Sequence, residues 1–517
     1  MTKSFKKIIS ITIALAMVVL TPVTAFAKDW YLENGDILIE ANESGQTVTQ
    51  GGVTEEDDAP VITHDPDVTD CTYDVQVKVE TEGDAVAEFT IKDINVENID
   101  YEGDRSLSTI DIGDSKAEMT VEGENYIYNE NEDGYSAIHV GGGELTIKGD
   151  GFLDIYADSH GAKIGSDQYE EMSGTIHITD DVSIYTENDG TGDSAAIGSG
   201  EGADFTGKIQ IDGNAYVEAV SNDRGAGIGS GEGDTIYDED ENEIGWGGDF
   251  RGEVIIGGYS EVYAEGNDDS AGIGSGEDGT FSGGSITIKD NAKVEAIGKD
   301  EGPGIGAADD TPLDGDIVIK DNAEVKASSG SEDTPDIGSE GGVGGDKGSI
   351  SILGNAKVDT TMIPKLDEYG DPVYDENDNR VMIRDETLKI GGEYPEGEED
   401  EEFYPFEGEI RIGSNTTIGG IQGRELLENP EEYGDYIMLH AVEENIVQGN
   451  DNNFEDYLNG IFDLFLKNGK PSGSSEGIKD IVPEEESNPN TGAPVIMMDA
   501  PNVVFVPVAV TAKKRED

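Results

Sequence analysis

The dipeptide Ile-Gly returns along the chain at a near-fixed interval, and this regularity constrains the fold more than any other feature. It occurs as Ala162-Lys163-Ile164-Gly165, Ala196-Ile197-Gly198, Ala226-Gly227-Ile228-Gly229, Ala271-Gly272-Ile273-Gly274, Pro303-Gly304-Ile305-Gly306, Pro335-Asp336-Ile337-Gly338 and Leu388-Lys389-Ile390-Gly391. The isoleucines step by 33, 31, 45, 32, 32 and 53 residues, a base period near 32 interrupted by two insertions. A period of this size marks a solenoid, in which each unit buries its apolar face only by stacking on its neighbours.

A second phrase follows the first in each unit. Ile286-Thr-Ile288 leads to Asn291 and then Val294-Glu-Ala296; Ile317-Val-Ile319 leads to Asn322 and Val325-Lys-Ala327. Ile209-Gln-Ile211 with Asn214, Ile350-Ser-Ile352 with Asn355 and Ile410-Arg-Ile412 with Asn415 repeat the pattern. Apolar residues at every second position mean strands with side chains alternately in and out. Each 32-residue unit thus supplies three short strands joined by sharp turns, and stacked units give parallel sheets: an all-β, β-helical solenoid over residues 136–425. Asn214, Asn291, Asn322, Asn355 and Asn415 sit at the bend between two strands, where Asn tolerates the left-handed conformation and its amide can bond to the next coil. Their expected role is a structural ladder. The glycine after each isoleucine is expected at positive φ. Gly-Ser-Gly runs such as Gly198–Gly200 lack the lysine and following helix of a phosphate loop.

Both ends carry signals. Lys3, Lys6 and Lys7, the apolar run 8–20 and Ala25-Phe26-Ala27 read as a signal peptide over residues 1–27, with an apolar core too short for a permanent span. Residues 28–135 are expected to hold an N-terminal β region and the first coils. The net charge is −82, from 114 acids against 32 Lys and Arg, and loss of the three lysines in 1–27 takes it to about −85. Such a surface repels nucleic acid and anionic lipid. The single cysteine, Cys71, excludes an intrachain disulfide and reads as a buried thiol at a strand start.

Further order comes from Asn95-Val-Glu-Asn98, Asp111-Ile-Gly113, Ala137-Ile-His139-Val-Gly-Gly-Gly143 and Leu145-Thr-Ile147-Lys-Gly, which precede the repeated Ala-(Gly)-Ile-Gly-Ser-Gly. Over roughly residues 30–425 the chain resembles the carbohydrate-binding-domain-containing surface proteins of Gram-positive anaerobes. That resemblance implies a right-handed parallel β-helix and, by analogy with relatives that bind acidic polysaccharide, a calcium-assisted glycan ligand.

Two insertions, near 233–247 and 361–387, share an apolar–polar–apolar pattern expected to form β-hairpins. Asp238, Asp240 and Asn242, and likewise Asp375, Asn377 and Asn379, have the i, i+2, i+4 spacing of hard-oxygen ligands and are the candidate calcium ligands. After residue 425 the phrase stops. Phe454, Leu458, Ile461, Phe462 and Phe465 have helical spacing, so residues 426–470 are expected to form a helical cap, followed by a polar linker over 471–487. Residues 488–517 then give Asn488-Pro489-Asn490-Thr491-Gly492, an apolar tail and Lys513-Lys514-Arg515. This resembles the sorting signal read by a sortase, which implies that Asn488, Pro489, Thr491 and Gly492 are its recognition residues and that Thr491 is joined to the cell wall.

Three function classes remain. The leading one is a non-catalytic carbohydrate-binding protein, extracellular and held at the wall of a Gram-positive cell, touching membrane only through its signal peptide and tail. Tyr185, Tyr216 and Tyr263 are the candidate sugar-stacking residues, each beside an inward apolar residue. A structural stalk or an adhesin for a protein partner is the second. A polysaccharide lyase-like enzyme is the third; it is disfavoured because the few arginines and five histidines do not recur on stacked strands. No catalytic residue is expected.

Overall fold

The computed structural model describes residues 28–449, apart from 69–70, 100–106, 131–133, 188–191, 238–242, 309–310, 332–333, 340, 342–345, 361, 365–381, 385–386, 393–405, 430–431, 434–436 and 442–444. The chain winds through about 11 coils, each about 32 residues after the last, as a parallel β-solenoid. Three sheets run its length, here called A, B and C, with 13, 14 and 12 strands. One repeat shows the plan. Ile273–Gly274 lies in sheet B, Ser285–Ile288 in sheet A and Lys293–Ile297 in sheet C.

Register follows the repeat residue for residue. Ile164, Ile197, Ile228, Ile273, Ile305, Ile337 and Ile390 stack on one another in sheet B. In sheet A the inward columns include Ile209, Val254, Ile286, Ile317, Ile350 and Ile410, all buried. Between sheets B and A a further column enters the core: Met172, Phe205, Phe250, Phe281 and Leu313. The rings of Phe205, Phe250 and Phe281 stand 5.2 and 4.4 Å apart. Each such side chain adds about 1.5–3 kcal/mol of burial relative to exposure.

The glycine after each isoleucine has a steric cause as well as a conformational one. Gly229 has φ 147°, and a Cβ there would stand 1.8 Å from the carbonyl oxygen of Gly274 in the next coil. At the bend between sheets A and C, however, the left-handed residue is the one before the asparagine. Asp290 (φ 60°), Asp321 (φ 62°) and Gly213 (φ 69°) hold that conformation, which leaves each Asn side chain free to reach along the stack. The ladder itself forms over three coils: Asn322 donates to Asn291 at 3.3 Å and Asn355 donates to Asn322 at 3.1 Å. Asn214 donates instead to Asp181 at 2.8 Å, because that coil carries Asp at the equivalent position. Asn415 is exposed and lies outside this chain of bonds among the described residues. The amides buried in the core are different ones. Asn98 and Asn125, in the N-terminal coils, bond backbone groups of adjacent coils.

The ends depart from the sequence expectations in two places. Stacking does not stop at residue 425: Ile437–His440 continues sheet B and Ile446–Gln448 continues sheet A. The first residues after the phrase stops form only a short helix, Gly423–Glu428. The expected helix around Phe454–Phe465 lies outside the described residues. Cys71 lies one residue before the strand Thr72–Tyr73 as expected, but it is half-buried, since that strand is the outermost of sheet C among the described residues. At the N-terminal end, Ile37–Asn42, Gly45–Gln50 and Val53–Glu56 pair antiparallel, so sheet B finishes on an exposed acidic strand that resists edge-to-edge pairing. Both insertions form antiparallel pairs, Asp234–Tyr237 with Glu243–Gly247 and Met362–Pro364 with Met382–Arg384. Among the described residues no helix is long and apolar enough to cross a membrane.

Candidate functional site

The outward face of sheet C holds the aromatic residues together. Its strands Glu124–Glu130, Phe152–Asp158, Ser183–Glu187, Tyr216–Val220 and Glu261–Glu265 are successive neighbours. Inward positions take Val217, Ala219, Val262 and Ala264, so the alternate positions must face solvent. Register places Tyr185 opposite Asp154 and Glu218, and Tyr216 opposite Ser183 and Glu261. The rings therefore meet on the diagonal, stepping between two adjacent outward columns from one coil to the next. Tyr126 to Phe152 is 5.9 Å, Phe152 to Tyr185 is 5.1 Å and Tyr185 to Tyr216 is 5.3 Å between centroids. Their planes are tilted by 58°, 43° and 33°, which leaves ring surface open to solvent. Tyr128 and Tyr156 behave differently. They stack at 4.9 Å and 6°, covering one another's faces.

Tyr263 stands one strand beyond Tyr216. With Tyr216 it lines a groove of about 450 Å³ that continues over Lys293, Glu295 and Lys326. Three lysines line this stretch in an otherwise acidic chain, each paired with a glutamate of the preceding coil: Lys293 with Glu261, Lys326 with Glu295 at 3.4 Å, and Lys357 with Glu324. A second hollow, of about 370 Å³, lies beside the aromatic row and is lined by Asp154, Tyr185, Glu187, Glu218 and Glu265. Burial, then the charges of Glu187 and Glu218, pushes the Asp154 carboxyl above its ordinary pKa. The Tyr216 hydroxyl donates to Glu218 at 3.1 Å and that of Tyr263 to Glu265. Burial and these neighbouring carboxylates raise both phenol pKa values. The face can therefore stack on apolar ring surfaces while offering carboxylate acceptors and ammonium donors to hydroxyl groups.

A second cluster gathers on and beside sheet B, whose strands Ile110–Asp111 and Ile138–His139 carry two of its members. His139 lies 2.9 Å from Asp111 and 2.7 Å from Glu170, with Asp167 at 4.0 Å. Burial alone would lower its pKa, but the bonds to Asp111 and Glu170 and the charge of Asp167 outweigh this and raise it to about 10. His160 pairs with Glu201 and stands 3.6 Å from Asp193. Farther along, burial pushes Glu232 up to about 7 against the counter-effect of Arg224, and burial together with Asp193 pushes Asp223 up to about 6. Lys163 is fully buried beneath this corner, donates to Ser194 at 3.1 Å, and has its pKa lowered by burial to about 8. Two groups, His139 with Asp167 and Glu170, and His160 with Asp193 and Glu201, bring ligand-type atoms within 4.8 Å of one another. His139 thereby ties Asp111 of the preceding coil to Glu170 of the following one, a salt-bridged seam between coils.

Of the residues singled out in the sequence, Tyr185 and Tyr216 are in ring contact and Tyr263 extends the same face. Phe152, Tyr126 and the paired lysines were missed. The signal for Phe152 and Tyr126 was available, since both occupy outward positions in an alternating strand; their contact depended on register. Asp238, Asp240, Asn242, Asp375, Asn377 and Asn379 lie outside the described residues, as do Asn488, Pro489, Thr491 and Gly492. The chain matches no family model, no curated protein and no solved structure.

Proposed function

We propose that this chain is a non-catalytic carbohydrate-binding protein, exported and displayed at the surface of a Gram-positive cell through its C-terminal sorting signal. The observation that carries the binding reading is the contiguous row Tyr126–Phe152–Tyr185–Tyr216, which climbs one coil per ring and opens into the groove beside Tyr263. A solenoid repeats the same outward positions at each coil, about 4.8 Å apart, and so suits a ligand that is itself a regular polymer. Pyranose rings have an apolar face that stacks on an aromatic ring and a rim of hydroxyls that bonds to carboxylates and ammonium groups. The sheet C face offers both. The test is retention of the purified full chain on a panel of immobilised polysaccharides. Retention on at least one supports the reading; passage through the whole panel at millimolar glycan would remove it and favour a stalk or protein-binding role.

A further inference from the structure

We infer that the glycan held on sheet C is an uncharged polysaccharide bound without a bridging cation, an inference that rests on the proposed carbohydrate-binding role and sharpens it. The tyrosine half of the face is ringed by Asp154, Glu187, Glu218 and Glu265, and the groove adds Glu261 and Glu295. The lysines that could receive an anionic sugar are committed: Lys293 to Glu261, Lys326 to Glu295 and Lys357 to Glu324. Lys299, at the end of the same coil, is taken by Glu265. An incoming uronate, even where a lysine ammonium still has a donor to offer it, would face an excess of carboxylates along the whole face. Crowding is already evident at Asp154, whose carboxyl is pushed up partly by Glu187 and Glu218.

An uncharged glycan meets no such opposition. Its hydroxyls donate to Asp154, Glu218 and Glu295 and accept from the lysine ammonium groups without separating the ion pairs. Its ring faces lie over Phe152, Tyr185 and Tyr216, whose centroids are 5.1 and 5.3 Å apart on the diagonal from one coil to the next, so successive sugars meet successive rings. Stacking and hydrogen bonding of this kind depend little on ionic strength, in contrast to attraction between net charges.

The experiment is affinity electrophoresis of the full chain through gels containing a neutral glucan, a neutral mannan or a polyuronate. Each gel is run in EDTA and in calcium, at low and high salt. Retardation by a neutral polymer in EDTA, surviving high salt, with the polyuronate inert, is the expected result. Retardation by the polyuronate alone, and only in calcium, overturns this inference while leaving the carbohydrate-binding role standing. No retardation in any gel overturns both.

Discussion

Gly229→Ala isolates the contact that sets the pitch of the solenoid. The added methyl would lie 1.8 Å from the Gly274 carbonyl oxygen and 2.9 Å from its carbon. Backbone atoms cannot yield as a side-chain tip does, so the two coils must separate locally. Two bonds hold that junction, Ile228 N–H to Gly272 at 3.0 Å and Ser230 N–H to Gly274 at 3.1 Å. Each contributes about 1 kcal/mol net. A non-glycine residue at φ 147° adds about 1–3 kcal/mol of strain, which brings the expected cost to about 3–5 kcal/mol. Gly283→Ala is the matched control. It also has positive φ, 86°, but its Cβ would meet nothing within 4 Å, so only strain of about 1–2 kcal/mol remains. Urea unfolding gives the two stabilities, and hydrogen exchange of the Ile228 and Ser230 amides locates the damage. Equal losses in the two variants, or unchanged protection at Ile228 and Ser230, would refute the reasoning that inter-coil contact selects this glycine.

The ladder and the core should differ sharply in weight. Asn322→Ala removes two exposed amide bonds and should cost about 1 kcal/mol or less, whereas Ile317→Ala in the adjoining buried strand should cost about 2–5 kcal/mol, both read by urea unfolding. Charge on and beside sheet B should give a pH signature. His139 has its pKa raised to about 10, so its contribution is complete below its unfolded value of about 6.5 and is lost as pH climbs through 10. Lys163, lowered to about 8, acts in the opposite sense between 8 and its unfolded value of about 10.5, and Glu232 titrates up to about 7, so the His139 effect is cleanest between pH 7 and 8. Across that window His139→Gln should show a flatter fall of melting temperature with pH than the parent; parallel curves would count against the Asp111–His139–Glu170 link. Glu232, raised to about 7 by burial, disfavours the fold as pH climbs from about 4.5 to 7, and Glu232→Gln should remove that slope.

The fold was legible because every coil repeats the same inward residues. Ile-Gly fixed the period, and alternation such as Ile286-Thr-Ile288 fixed the strands and their buried sides. The Met172–Phe205–Phe250–Phe281–Leu313 column is harder to see because residue type changes along it, although its steps of 33, 45, 31 and 32 residues share the base period near 32. The bend was read one residue late: Asn marks it, but Asp290 and Asp321 take the left-handed conformation. The last strands were missed because Ile437–His440 and Ile446–Gln448 stack without the Ile-Gly phrase. For the binding face, outward tyrosines could be named from alternation alone. Which of them touch depends on parallel register between coils, and the pairing of Lys293, Lys326 and Lys357 with glutamates of the preceding coil depends on it too.

The most direct test of the binding account is the Tyr185→Ala/Tyr216→Ala double variant, measured by titration calorimetry against whichever polysaccharide retains the parent chain. Both side chains are outward and half-buried, so the solenoid should keep its melting temperature within a few degrees. Loss of two stacking rings at about 0.5–1.5 kcal/mol each predicts a Kd weakened roughly 5- to 150-fold. Unchanged affinity in a folded double variant would contradict the claim that the glycan lies along the aromatic row of sheet C.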